Sequence, residues 1–334
     1  MATFKEIRGQ TIKKYTTNPT NPLEGQIWYN NTTGTLKVYI MAPAAWASGN
    51  ASPVAKRSGG SAGTQTANLI FAGSTPGGST NVTGEYDGTN WTTSGVYGAS
   101  SYALAGFGIQ TAAIGIGGMT PPGAVPTPFE YNGSTWTATP GTGTSAAALA
   151  GAGTTAAGVK FGGSTIPFAT TTNSSEEWNG SAWTASPGNL NTGRGYLGGF
   201  GTQTAALGAG GYTSPPTVKH TSAETYDGST WTASTVLPIG RMMGAGSGTQ
   251  TAAFYYGGST TAPTVTAADG QTWDGLAWTT SPASLGTGRR NLTGSPHGTS
   301  TTALAVAGTA APGDVTNTEE FTGAALATQT VTTS

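Results

Sequence analysis

Few side chains in this 334-residue sequence are equipped for chemistry. Its two histidines, His220 and His297, each stand alone among Ser, Thr, Pro and Gly, which suits a surface position better than a base or a metal ligand. There is no cysteine, so disulfides, thiolate nucleophiles and thiolate metal sites are all excluded. Carboxylates are scattered singly, without the clustered oxygen ligands that a calcium site requires. Two features remain: four arginines at comparable positions, Arg57, Arg194, Arg241 and Arg289, and a turn reading Thr225-Tyr226-Asp227-Gly228-Ser229-Thr230-Trp231. On this inventory no catalytic residue, metal site or cofactor is assigned, and no enzymatic activity is expected.

The elements that position these residues are repeated. The Tyr226 to Trp231 turn has copies at Tyr86 to Trp91, Tyr131 to Trp136, Trp178 to Trp183 and Trp273 to Trp278, with tryptophans 45, 47, 48 and 47 residues apart. Asp-Gly and Asn-Gly supply the positive φ angles of tight hairpins, so each copy reads as a two-stranded hairpin. A second turn keeps step: Gly63-Thr64-Gln65-Thr66-Ala67 returns at Gly108, Gly153, Gly201 and Gly248, and more loosely at Gly298. A short apolar run ending in glycine follows each time. One period therefore holds four strands, the content of one propeller blade.

The residues resemble kelch repeats, with Gly-Gly after the second strand, Tyr-Asp ending the third, Trp opening the fourth and then an arginine. The second and third repeats lack the arginine and carry Tyr102 and Ala147 near its place. The last marker is degenerate, since Glu319 to Gly323 runs on to Leu326 where tryptophan is expected. Trp46 supplies the missing copy: it precedes Arg57 by 11 residues, as Trp183 precedes Arg194, and precedes Gly63 by 17, as Trp91 precedes Gly108. The expected fold is all-β, a six-bladed kelch-like β-propeller over 44–334, with the strand around Trp46 pairing beside Phe321 to close the ring. Residues 325–334 are left as an extra strand or tail. The tryptophans read as packing residues between blades.

Residues 1–43 are expected to form an extended arm and a hairpin, with Gln26 to Asn30 and Thr35 to Ile40 around the turn Asn31 to Gly34. This segment carries a balance of +3 within a chain of formal charge -1, so the repeats carry -4, a poor match to nucleic acid. No run approaches the length of a membrane-spanning helix, and none reads as a signal peptide.

A binding face is expected where the strand-two-to-three loops gather with the blade-to-blade connections. Candidates there are Arg57, Arg194, Arg241, Arg289, Phe168, Tyr212, Lys219 and His220. The competing expectation is that the arginines pair with Glu85, Glu130, Glu177, Glu224 and Glu320 beside the third strands. Two enzyme families share features with these repeats. Kelch-type copper oxidases need a cysteine that is absent. Sialidases share six blades and a Ser-x-Asp-x-Gly-x-Thr-Trp turn, but here the residue between Asp and Gly is missing, and Asn132 and Asn179 replace the aspartate.

The run Met1-Ala2-Thr3-Phe4-Lys5-Glu6-Ile7-Arg8-Gly9, with Gly25-Gln26-Ile27-Trp28-Tyr29-Asn30 and Thr33-Gly34-Thr35-Leu36-Lys37-Val38, resembles the start of virion proteins of marine tailed bacteriophages. Those proteins continue in similar glycine- and threonine-rich kelch-like repeats. The resemblance implies a tail fibre or appendage protein located in the virion, attached to other virion proteins through its N-terminal segment, with Lys5, Arg8, Lys13, Lys14, Trp28 and Tyr29 as candidate contacts. It further implies a multi-copy or homo-oligomeric assembly and a propeller that binds a host-surface glycan or protein, with no membrane insertion. A capsid decoration protein without ligand is the alternative, and a glycan-cleaving enzyme a more remote one.

Overall fold

The structure, a computed structural model, describes residues 12–120, 123–125, 127–165, 170–215, 217–260 and 266–332. All regular elements among them are β-strands, and they fall into two compact units, Trp46–Thr322 and the combination of Met1–Ala45 with Gly323–Ser334.

The smaller unit is a sheet in the order Lys13–Tyr15, Ile27–Asn30, Thr35–Ala42, Ala325–Thr330. Its central hairpin is the expected one: Asn30 Oδ1 accepts the Thr32 and Thr33 amides at 3.0 Å, and Gly34 takes φ +66°. One expectation is extended and one corrected. Lys13–Tyr15 is a strand parallel to Ile27–Asn30, with Lys13 opposite Trp28, so this part of the extended arm joins the sheet. The C-terminal segment belongs to this sheet and not to a 44–334 propeller, since it pairs antiparallel with Thr35–Ala42 from Lys37–Thr330 to Ala42–Ala325. It covers what would be an open strand edge.

The larger unit is a six-bladed propeller. The fourth blade shows the plan: Gly198–Thr202, Ala205–Ala209, Ala223–Tyr226 and Trp231–Ser234 pair antiparallel in sequence order. The first, second, third and fifth blades repeat it. The sixth is composite, ordered Thr302–Val306, Thr318–Thr322, Ala45–Gly49, with its innermost strand reduced to the Thr293–Val306 bridge. Trp46 lies in that outer strand with its ring 5.2 Å from the ring of Phe321, while Leu326 lies in the smaller unit's sheet. The N-terminal strand closes the ring, as the tryptophan spacing predicts.

The repeated motifs join blade to blade. Gln250 Nε2 donates to the carbonyls of Ala206 (3.1 Å) and Tyr226 (2.7 Å) in the preceding blade, and Gln65, Gln110 and Gln203 do the same in theirs. Thr155 and Ser300 stand in that place in the third and sixth blades. The outer-strand tryptophans also reach backward: Trp91, Trp136 and Trp231 donate Nε1 to Thr318, Thr83 and Ser175 hydroxyls. Trp46, Trp183 and Trp278 have buried indole nitrogens with no acceptor. The corresponding residues of the preceding blades, three before the third-strand aromatic, are Gly270, Pro128 and Ala223, none with a hydroxyl.

Candidate functional site

Each outer strand leads into the innermost strand of the next blade through one residue with φ between 50° and 60°: Ser58, Ala103, Ala148, Tyr196, Met243 and Asn291. Their backbones form a closed cycle. Ala103 N–H donates to Ser58 O at 2.7 Å, Ala148 to Ala103 at 2.8 Å, Tyr196 to Ala148 at 2.7 Å, Met243 to Tyr196 at 3.1 Å, Asn291 to Met243 at 2.7 Å and Ser58 to Asn291 at 2.8 Å. A left-handed conformation is unfavourable for residues with a Cβ and persists where the surroundings over-determine it, as this cycle does. The six side chains have no chemistry in common, so sequence reading missed them. The available signal was position, since Ser58 follows Trp46 by 12 residues and Tyr196 follows Trp183 by 13.

Beneath this collar the axis holds a cavity of about 90 Å³, lined by the collar residues and by Leu104, Leu149, Leu197 and Leu292, and then one of about 120 Å³ lined largely by glycine backbone and Pro296. His297 crosses the far end: its N–H donates to Gly63 O of the first blade at 3.0 Å and its Nε2 bonds Gly153 O of the third. This histidine is a strut across the ring, not the surface residue expected.

Three arginines proposed for the binding face are structural. Arg194, Arg241 and Arg289 are 0% exposed. In each, Nη1 donates to two backbone carbonyls, and Nη2 to a carboxylate: Glu224 at 2.7 Å, Asp269 at 2.7 Å and Glu319 at 2.8 Å. Burial lowers the pKa of Arg194 and Arg289, and the paired carboxylate opposes it. Of the acids expected as partners, only Glu224 serves. Glu85, Glu177 and Glu320 instead accept from the hydroxyls of Tyr131, Tyr226 and Tyr86 in the following blade. Successive strand residues point to opposite faces, so Glu319 and Glu320 serve different sides.

The same slot holds a lysine in two other blades. Lys160, from the second strand of the third blade, bonds Glu176 at 2.9 Å and Thr144 O at 2.8 Å. In the first blade the occupant is Lys56, not Arg57, because the connection from Trp46 to the collar is one residue shorter than that from Trp183. Lys56 is 2% exposed, donates to Val82 O at 3.2 Å, and has its pKa pushed down to about 7 by burial. No acid among the described residues pairs with it: Gly84 occupies the glutamate position, where a Cβ would meet Pro53 Cγ at 3.1 Å. Arg57 is half-exposed and pairs with Asp314 at 2.5 Å.

The strand-two-to-three loops and the blade-to-blade connections meet on one face. Antiparallel bridges Arg57–Ser74, Gly195–Tyr212, Met242–Ser259 and Arg290–Thr309 set the collar segments against the roots of the strand-two-to-three loops. Several loops are short hairpins, such as Tyr212–Thr213 with Val218–Lys219. Tyr212 is largely buried, with its ring 6.0 Å from that of Tyr196. Lys219 Nζ donates to Ser259 Oγ at 3.1 Å, and its pKa is lowered by burial and then by the charge of Arg290. His220 Nε2 lies 3.1 Å from Thr213 Oγ1, its pKa lowered by burial and then by Arg194. Phe168 lies outside the described residues. The face therefore gathers Arg57, Tyr212, Lys219 and His220 with Tyr196, Arg290 and Asn291, the last three unforeseen.

The Tyr226 to Trp231 turn is conformational. Asp227 Oδ1 accepts the amides of Ser229 at 2.8 Å and Thr230 at 2.7 Å, and these bonds hold its carboxyl well below the usual range. Asn132 and Asn179 accept the same amides in their turns. In the smaller unit Lys13 and Lys14 are exposed and Tyr29 half-buried, whereas Trp28 is fully buried with its Nε1 on Asn18 Oδ1 at 3.3 Å, which removes it from the candidate contacts. Lys5 and Arg8 lie outside the described residues.

No protein-family model matches the chain, and no curated protein matches it. Among solved structures it is similar to one titled "Structure of YjhT", with a TM-score of 0.69 and 13% identity over 84% of this chain and 99% of that one. At that identity the likeness is one of fold.

Proposed function

We propose that this chain is a virion structural protein of a tailed phage, a tail fibre or appendage subunit held through its N-terminal unit, whose propeller binds a host-surface glycan or protein. The observation that carries the reading is the joining of strands from residues 13–42 and 325–330 into one small sheet. That sheet contains the Gly25 to Val38 stretch that resembles phage virion proteins, and its strands flank the propeller in sequence. Such an arrangement suits a module anchored on one unit and binding through another. The loop face supports the binding half, because a closed ring bonded from blade to blade is a rigid base for variable loops.

Quantitative mass spectrometry of purified virions, with immunolabelling, tests the location: a tail-like copy number with label on the tail is expected, and a capsid-like copy number would replace this reading with that of a decoration protein. Adsorption of the purified protein to host cells, in competition with phage, tests the binding role.

A further inference from the structure

We infer that the cavity where the connection from the second blade meets the third, lined by Gly143, Glu176, Trp183 and Asn189, is a seat for an N-acylated amino sugar of a host-surface glycan, whose amide N–H bonds Glu176 and the Trp183 carbonyl. The inference rests on the binding role proposed above and gives it a place and a ligand class.

The fourth blade shows the same place filled by the chain itself. Asn191 stands five residues before the collar residue Tyr196. Its backbone N–H donates to Glu224 Oε2 at 2.7 Å, and its side-chain amide donates to the same oxygen at 2.8 Å and to Trp231 O at 3.1 Å. Five residues before Ala148, the third blade has Gly143 instead. The backbone bond is kept, from Gly143 N–H to Glu176 Oε2 at 2.8 Å, but there is no side-chain amide to follow it. Both acceptors of that amide therefore stay open. A carboxylate offers roughly four acceptor positions. Glu176 uses three of them, for the amides of Gly143 and Thr144 and for Lys160. The Asn179–Ala182 bond closes the hairpin turn, so the neighbouring Trp178–Trp183 pair is a non-hydrogen-bonded one and Trp183 O faces away from the ladder.

The vacated slot is a cavity of about 370 Å³, within the roughly 300–1,000 Å³ of small-ligand sites and larger than either axial cavity. Gly143, Ala185 and Asn189 on its lining are exposed, so it opens to solvent, whereas Glu176 is only 4% exposed. Asn189 Oδ1 accepts the Ser175 amide at 2.8 Å, and its Nδ2 has no partner among the described residues, which leaves a donor at the rim. Charge narrows the ligand class. Lys160 already neutralises Glu176 at 2.9 Å, so an ammonium would bring an uncompensated charge and an anion would meet the carboxylate. A neutral N–H donor remains, and Asn191 shows that an amide fits. The rest of the lining is hydroxyl-bearing Thr144, Ser174 and Ser186 with Trp183 as its one large apolar residue, which suits a sugar better than an apolar peptide segment.

The test measures binding of the full chain to oligosaccharides of N-acetylglucosamine and of N-acetylgalactosamine, to a glucose oligosaccharide of equal length, and to an asparagine-bearing peptide. At least one N-acetylated probe is expected to bind, about tenfold more tightly than the glucose probe. Gly143→Asn should abolish that binding, because the introduced side chain takes the bonds that Asn191 makes in the fourth blade. A Cβ at Gly143 meets Glu176 at 3.7 Å, an ordinary contact, so the unfolding midpoint should not fall. Asn189→Ala, at an exposed position, should weaken binding several-fold and provides the check if the first variant does not fold. Equal binding of the glucose probe, undiminished binding by the variants, no binding of either N-acetylated probe, or preference for the peptide overturns the inference. Host-cell adsorption is measured on the same proteins. If wild type and variants adsorb equally, the seat is wrong and the binding role stands; if wild type does not adsorb, the binding role itself fails.

Discussion

Tyr226 of the fourth blade donates its hydroxyl to Glu177 Oε1 of the third at 2.6 Å, and Ser186 Oγ lies 2.5 Å from the same hydroxyl. Burial, then the carboxylate, pushes the phenol up to about 12, so it remains a donor throughout the neutral range. The Tyr131–Glu85 and Tyr86–Glu320 bonds repeat this contact. Tyr226→Phe is expected to lower stability by about 1.5–3 kcal/mol, as for other bonds to charged groups. Urea unfolding of Tyr226→Phe, Glu177→Gln and the double variant checks it, with a coupling energy near zero as the contrary result.

The fully buried arginines and the half-buried Arg290 should respond differently. Arg194→Met strands Glu224, which is only 3% exposed, and should cost about 3–5 kcal/mol. Arg290→Gln removes no ion pair and should leave stability within about 0.5 kcal/mol. Thermal unfolding of the two proteins side by side measures the difference.

Trp278 has a buried indole N–H without an acceptor, and Ala223, in the same apolar cluster, occupies the position held by Thr83, Ser175 and Thr318 in the blades whose tryptophans are satisfied. Ala223→Ser should supply the missing acceptor and stabilise the ring by about 0.5–1.5 kcal/mol. A lowered denaturation midpoint would count against this account of the unsatisfied indoles.

Lys56 carries a pH dependence whose sign can be worked out. Its folded pKa of about 7 lies below the ordinary 10.5, so between those values the unfolded chain holds a proton that the folded chain does not. Stability therefore rises with pH across that window, and below about pH 7 the full cost of burying the ammonium is present. Lys56→Met should stabilise the protein at pH 6 by an amount on the order of a few kcal/mol, shrinking towards pH 10. Denaturant midpoints of both proteins at pH 6, 8 and 10 provide the check.

Most of the architecture was legible because the hairpin turns are chemically marked. Asp227 or its asparagine counterparts, the Gln250-type turn and the outer tryptophans each recur for a local reason, and their spacing placed Trp46 in the closing blade. The collar was not legible, since backbone-to-backbone bonding through Ala103, Tyr196 or Met243 leaves no trace in side-chain identity. The arginines misled for a related reason. A buried guanidinium and a ligand-binding one look alike in sequence, and the one-residue-shorter connection after Trp46 exchanged the roles of Lys56 and Arg57. The segment Ala325–Thr330 carries no turn or aromatic marker, and only the vacant edge of Thr35–Ala42 gives it a place.

Pairing Ala325–Thr330 with Thr35–Ala42 has a mechanical consequence. The ring is joined to the smaller unit by two covalent connections, one through Pro43 and one through Gly323, whose flanking propeller strands are neighbours in the sixth blade. Tension applied to that sheet is shared between two threads, and a single proteolytic nick in either would leave the ring still moored by the other.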